Sequence, residues 1–106
     1  TMTADNVWCG GVVLGNKIND WENLDFNSLQ STLLWNNEAP QKAFIKDAAP
    51  FRTLAWVINV RLSQNINIPS GSKIITGSVI KTRAPKKGDH IIYKIDDLSQ
   101  VEVKII

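Results

Sequence analysis

The sequence predicts an α+β domain dominated by sheet: five to six strands, in a mixed sheet or partial β-roll or barrel, with one main helix at about residues 50–64. Three observations carry this. Short apolar runs recur between turn-forming clusters, as in Leu29 to Trp35 and Lys73 to Ile80. The final segment alternates Val101, Val103, Ile105 with polar residues, the period of a half-buried strand. Between Asp47 and Gln64 the spacing changes, and Phe51, Leu54, Ala55, Ile58 and Leu62 step by three and four.

Taken in order, Val7 to Leu14 reads as a buried strand with Gly10-Gly11 marking a bulge or close approach. Gly15-Asn16-Lys17 is a turn, and Ile18 to Phe26 is a mixed segment carrying Trp21, Leu24 and Phe26. In Leu29 to Trp35, Leu29, Leu33 and Trp35 share one parity and Leu34 has the other. Asn36-Asn37-Glu38 then tolerates the left-handed backbone of a hairpin. The return arm is Gln41 to Lys46, with Phe44 inward and Pro40 placing it toward an edge. Pro50 suits a first helical turn, and Asp47 or a neighbour can cap it. Trp56, Val57 and Val60 widen the apolar stripe, so the helix is expected to pack on more than one side and to end near Asn65. Lys73 to Ile80, His90 to Ile95 and Val101 to Ile106 are the remaining strands. Gly88-Asp89 and Asp96 to Ser99 supply the turns.

At 106 residues the chain is sized for a single domain, 1–106, with one core. A net charge of +2 is too small an excess to indicate a nucleic-acid or membrane-surface partner. The longest apolar run, Leu54 to Ile58, is far short of a membrane span, and no leader pattern opens the chain. One cysteine, Cys9, cannot close an internal disulfide and fits a reducing, cytoplasmic setting.

The chemistry-bearing residues are few. Divalent-cation sites need two or three converging acids. Asp20 and Glu22 could share a face, but no third acid is suitably spaced, and Asp96-Asp97 read as turn formers. One Cys and one His exclude a tetrahedral zinc site. A Cys9–His90 nucleophile pair is formally possible, but Cys9 sits in an apolar run and reads as a small core residue. His90 opens a strand and reads as solvated. Lys81, Arg83, Lys86 and Lys87 form a basic loop without aromatic residues for base stacking, and read as a solvated turn. Trp35 and Trp56 fall on core-facing positions, whereas Trp8 and Trp21 could face a subunit partner. Two polar spots fit a structural reading less readily: Asp5-Asn6, just ahead of the first strand, and Thr76-Gly77-Ser78, inside a strand of Ile and Val. Hydroxyls flanking a glycine let backbone and side-chain donors approach an anion; a bulge stabilised by Thr and Ser is the equal alternative.

Several motifs occur in a familiar succession. Ala4-Asp5-Asn6 precedes an apolar strand with Gly11-Val12-Val13-Leu14-Gly15, followed by Leu24-Asp25 and Asn36-Asn37-Glu38. Pro50 then opens a helix with Ala55-Trp56, Ile68-Pro69-Ser70-Gly71 leads into Ile74-Ile75-Thr76-Gly77-Ser78, and Gly88-Asp89-His90 precedes two short strands. This order resembles the C-terminal part of the 2-keto-4-pentenoate hydratase group of the fumarylacetoacetate hydrolase superfamily, which includes 4-oxalocrotonate decarboxylase. The resemblance implies a lyase-type ancestry acting on 2-keto acids, with Asp5 and Asn6 at the pocket and Thr76, Gly77 and Ser78 holding a substrate carboxylate.

It also implies what is missing. The family's Glu-x-Glu metal ligands lie in a preceding part, and no Glu-x-Glu occurs here. Where the family has glycines and Gly-His-Pro before the helix, this chain reads Ala43-Phe44-Ile45-Lys46-Asp47-Ala48-Ala49-Pro50. The expectation is therefore a hydratase-like domain that binds no cofactor alone and carries no catalytic residue of its own. It would serve as a small-carboxylate-binding or structural homo-oligomer. The alternative is the C-terminal half of a Mg- or Mn-dependent hydratase or decarboxylase, completed by an N-terminal-half subunit.

Overall fold

A computed structural model describes residues 11–106. The expected Val7 to Leu14 strand lies partly outside them, as do Asp5, Asn6, Trp8 and Cys9; its described part, 11–14, is not in a strand. The sheet has four strands: β1 (Gln30–Trp35), β2 (Gln41–Phe44), β3 (His90–Ile95) and β4 (Ser99–Lys104). Their spatial order is β2-β1-β3-β4, and every pairing is antiparallel. Among the described residues the one α-helix, α1, runs Pro50–Ser63, close to the expected bounds. The α+β, mostly-sheet class therefore holds, with four strands among the described residues where five or six were expected.

Register sorts the side chains into two faces. Leu33 lies opposite Gln41 on one side and Tyr93 on the other, and Tyr93 lies opposite Val101. One face therefore carries Ser31, Leu33 and Trp35 of β1, Ile91, Tyr93 and Ile95 of β3, and Val101 and Val103 of β4. The opposite face carries Thr32, Leu34, His90, Ile92, Lys94 and Glu102, a more polar set. The parity expected for β1 is thus realised. Ser31, Thr32 and Trp35 are the buried residues among those described, so the core is centred on β1. Ser31 sends its hydroxyl to the Ala43 carbonyl at 3.2 Å, which keeps this polar group satisfied where no water reaches it.

Local chemistry explains the connections. Asn36 has φ 54°, the left-handed conformation an asparagine tolerates, and its N–H bonds to the His90 carbonyl at 2.8 Å. The β1–β2 connection spans residues 36–40, longer than a two-residue turn. Asp96 likewise has φ 41°, and its carboxylate accepts the Gln30 N–H at 3.1 Å, tying the β3–β4 turn to the start of β1. A Cβ at Gly15 would lie 2.5 Å from Ser99 Oγ and 3.3 Å from Val101 Cγ1, so a larger residue here would have to displace those side chains of β4.

Several expectations fail here. Lys73 to Ile80 is not a strand. Gly77 has φ 110°, outside the range a ladder accepts from other residues. Ser78 makes a local turn, its hydroxyl contacting the Ile80 carbonyl and accepting the Ile80 N–H. These short-range bonds compete with sheet pairing. The helix differs too. No Asp caps it: Ala49 is the N-cap residue, with φ 44° and no side-chain bond, while Thr53 Oγ1 donates to the Ala48 carbonyl at 3.2 Å. None of its residues is buried, and Trp56, expected in the core, is 65% exposed. Leu54, Val57 and Ile58 are half-buried, whereas Phe51, Ala55 and Leu62 face outward. An aromatic cluster holds its first turn, with Phe51 edge-on to Phe26 at 4.7 Å and tilted against Trp21 at 6.1 Å. Phe44, expected inward, is largely exposed under the Lys46 ammonium.

If β1 carries the core, Trp35→Ala should destabilise the fold by about 3–5 kcal/mol, whereas Trp56→Ala should change it by under about 0.5 kcal/mol. Urea unfolding followed by far-UV circular dichroism compares the two.

Candidate functional site

Thr76, Gly77 and Ser78 sit on the long connection between α1 and β3, with Thr76 half-buried and the other two exposed. The Ser78 hydroxyl is already engaged by the backbone of Ile80. The positive φ of Gly77 turns the chain between the two hydroxyl residues. Asp5 and Asn6 lie outside the described residues.

The remaining candidates take structural roles. Asp25 caps its own turn, accepting the Asn27 N–H at 3.0 Å. His90, expected to be solvated, pairs its Nε2 with Glu102 on the polar sheet face. Among the described residues no three His, Cys, Asp or Glu side chains come together as a metal ligand set. A shallow open concavity of about 370 Å³ lies at the β3–β4 turn, lined by Asn16, Lys94, Asp97 and their neighbours. Thr76, Gly77 and Ser78 are not among its walls. Among the described residues, no helix is long and apolar enough to cross a membrane.

The most organised polar constellation is one that sequence reasoning missed. Arg83, expected in a solvated loop, lays its guanidinium over the Trp35 ring at 4.3 Å and donates two bonds to Glu38, at 2.8 and 2.6 Å. Beside it, Asn36 Nδ2 donates to Asp89 at 2.8 Å, and Asn36 Oδ1 accepts the His90 N–H at 2.7 Å. Asp89 also accepts the Lys86 N–H at 2.8 Å. Five side chains from three distant segments thereby lock the hairpin, the basic loop and the start of β3 over the core tryptophan. The Trp35 indole N–H is buried without a partner at hydrogen-bonding geometry, yet it lies close enough to help stabilise the Asp89 carboxylate. The one available signal was composition: an Arg and two acids flanking the Asn pair and the Gly-Asp turn. The pairing itself spans 45 residues of sequence.

Electrostatics follow from these bonds. Arg83 holds the Glu38 carboxyl below its usual range, and Glu38 in turn raises the guanidinium. The amide of Asn36, then the Lys86 N–H, lower Asp89. All three groups are open to solvent, so salt screens these effects. A chemical function is not evident in the cluster, since its donors and acceptors are spent on one another.

No protein-family model matches the chain, and neither a curated protein nor a solved structure matches it.

Depressed carboxyl groups contribute stability that is present above their unfolded values and is lost as pH falls through the folded ones. The ordinary values are 4.5 for Glu38 and 3.8 for Asp89. Stability should therefore decline on acidification below about pH 5. Glu38→Gln should lower stability at pH 7 and make its acid dependence shallower, while Arg83→Ala should lower it without removing the Asp89 contribution. Urea midpoints measured from pH 3 to 7 distinguish these outcomes.

Proposed function

We propose that this chain is a hydratase-like association domain, working as a structural homo-oligomer that can hold a small carboxylate and does not catalyse turnover alone. One observation carries the reading. Helix α1 has no buried residue and exposes Phe51, Trp56 and Leu62, three large apolar side chains on fourteen helical residues. Exposed large apolar side chains gathered on one element are candidates for a surface that association covers. Association removes it from water at a gain of about 25 cal/mol per Å² of apolar area, before the entropic cost of assembly.

The carboxylate part rests on the resemblance and on Thr76-Gly77-Ser78, where two hydroxyl residues flank a left-handed glycine that is open to solvent. A small 2-keto acid is the class of ligand the resemblance favours. Binding without turnover follows when no electrophile is supplied to polarise the keto oxygen, since a cradle that holds ground state and transition state alike does not accelerate the reaction. The lone thiol among 106 residues fits a cytoplasmic location.

The succession of family motifs favours a second reading: the C-terminal half of a Mg- or Mn-dependent hydratase or decarboxylase whose metal ligands reside on another chain. Both readings require the helix to be covered, and they differ in what covers it.

Light scattering coupled to size exclusion should give a mass of at least twice 11.8 kDa across micromolar concentrations. A monomer at every concentration overturns the association reading. Incubation with Mg²⁺ and 2-hydroxypenta-2,4-dienoate should give no turnover by the chain alone. Turnover restored by a Glu-x-Glu-bearing N-terminal half establishes the second reading instead. Pyruvate titrated into labelled protein should shift the amide resonances of residues 76–78, and Thr76→Ala should weaken that binding several-fold. Unmoved resonances at these three positions would remove the carboxylate role.

A further inference from the structure

All the charged side chains of the four strands lie on one face of the sheet. Lys42 of β2, His90 and Lys94 of β3, and Glu102 and Lys104 of β4 occupy positions of one parity. The opposite face, which carries Trp35 and is met by Arg83, holds no charged strand residue. With His90 neutral, three lysines against one glutamate leave this face an excess of +2, equal to that of the entire chain. Strand alternation thus gathers on one surface a charge that the composition spreads thinly.

The one acid of this face is engaged, because Glu102 pairs with His90. At the adjoining β3–β4 turn, the Asp96 carboxylate accepts the Gln30 N–H at 3.1 Å, and Asp97 borders the same open concavity as Lys94 without an ion pair between them. Among the described residues, Lys42, Lys94 and Lys104 have no carboxylate partner. Lys42 and Lys104 are exposed, and Lys94 is half-buried. A fourth ammonium, that of Lys46, sits 5.1 Å from the ring centroid of Phe44, which belongs to the same face.

Charge and spacing select the occupant. Lys42 and Lys94 flank Thr32 in one row, two strand spacings or about 10 Å apart. Lys104 lies opposite His90, about 14 Å from Lys94 along the neighbouring strand. Carboxylates three and four residues apart on an extended polypeptide span the same two distances, at about 3.4 Å per residue. Between the lysines, Leu34 and Ile92 stand opposite one another and half-buried, an apolar centre within a charged rim as in protein interfaces. Single-stranded nucleic acid stacks its bases on several rings, and this face offers only Phe44, on an outer strand beneath Lys46. We propose that the face docks an acidic, extended segment of a partner protein, whose carboxylates meet Lys42, Lys94 and Lys104 and whose apolar side chains rest on Leu34 and Ile92. Exposed ion pairs each add little affinity, so the charge serves chiefly to select the partner and speed its arrival, and salt weakens the docking.

This docking uses no residue of α1 and does not depend on self-association. The test titrates the full chain with the acidic copolymer poly(Glu, Tyr) at low salt, and with oligothymidylate as the nucleic-acid arm. The copolymer should shift amide resonances of β2, β3 and β4 around Lys42, Lys94 and Lys104. Replacing these three lysines together, as Lys42→Gln, Lys94→Gln and Lys104→Gln, should weaken its binding at least about 10-fold. The charge-matched loop variant Lys81→Gln, Lys86→Gln and Lys87→Gln should stay within about two-fold of the unaltered chain. Equal loss in both variants, resonance shifts confined to other segments, or tighter capture of oligothymidylate by the same face overturns the proposal. If circular dichroism shows the sheet variant unfolded, the resonance shifts of the unaltered chain alone decide.

Discussion

The structure depends on Trp35 at the end of β1, roofed by Arg83. It is the one large apolar side chain that is buried among the described residues. Three of the four strands meet along its row: β1 holds it, Ile91 of β3 lies opposite, and Val103 of β4 lies opposite Ile91. The guanidinium above the indole excludes water from one side while keeping its own charge in solvent and paired with Glu38. The long, irregular connection between α1 and β3 is thereby tied to the core through Arg83.

This economy has a consequence for stability. A sheet of four strands with a core centred on one tryptophan buries little apolar area, and small domains are marginal even when they bury more. The helix adds little to that core, because its contacts are with the turn before it and with the Phe26 and Trp21 rings. Phe51, Trp56 and Leu62 of the helix remain exposed instead. Folding and association are linked in such a case: whatever binds the folded form alone raises its apparent stability in proportion to concentration.

The polar sheet face and the basic loop show how charge is spent here. Of the residues expected to form a free basic cluster, Arg83 is committed to Glu38 and Trp35, and the Lys86 backbone to Asp89. His90 is matched by Glu102 across β3 and β4. These are architectural uses of charge, each modest because solvent reaches it, and together they set the path of the chain. They leave the hydroxyl loop at Thr76 to Ser78 and the lysines of the polar sheet face outside that frame.

Short-range physics made much of this legible in the sequence. The parity of β1, the asparagine turn at Asn36, the proline start of α1, the acidic turn at Asp96 and the alternation of β4 each depend on a few adjacent residues, and each is realised. Tertiary structure alone decided the rest. Whether Lys73 to Ile80 joins a sheet depends on an available neighbouring strand, which no local pattern encodes, and Ser78 satisfied its backbone within two residues instead. Periodicity identified α1 as amphipathic but could not tell which side of its broad apolar surface would meet the domain, because Trp56 and Leu54 are equally apolar in a list of residues. The Arg83–Glu38–Trp35 contact was out of reach for the same reason. It joins residues 45 positions apart, and only the folded path of the backbone brings that cation and that ring together.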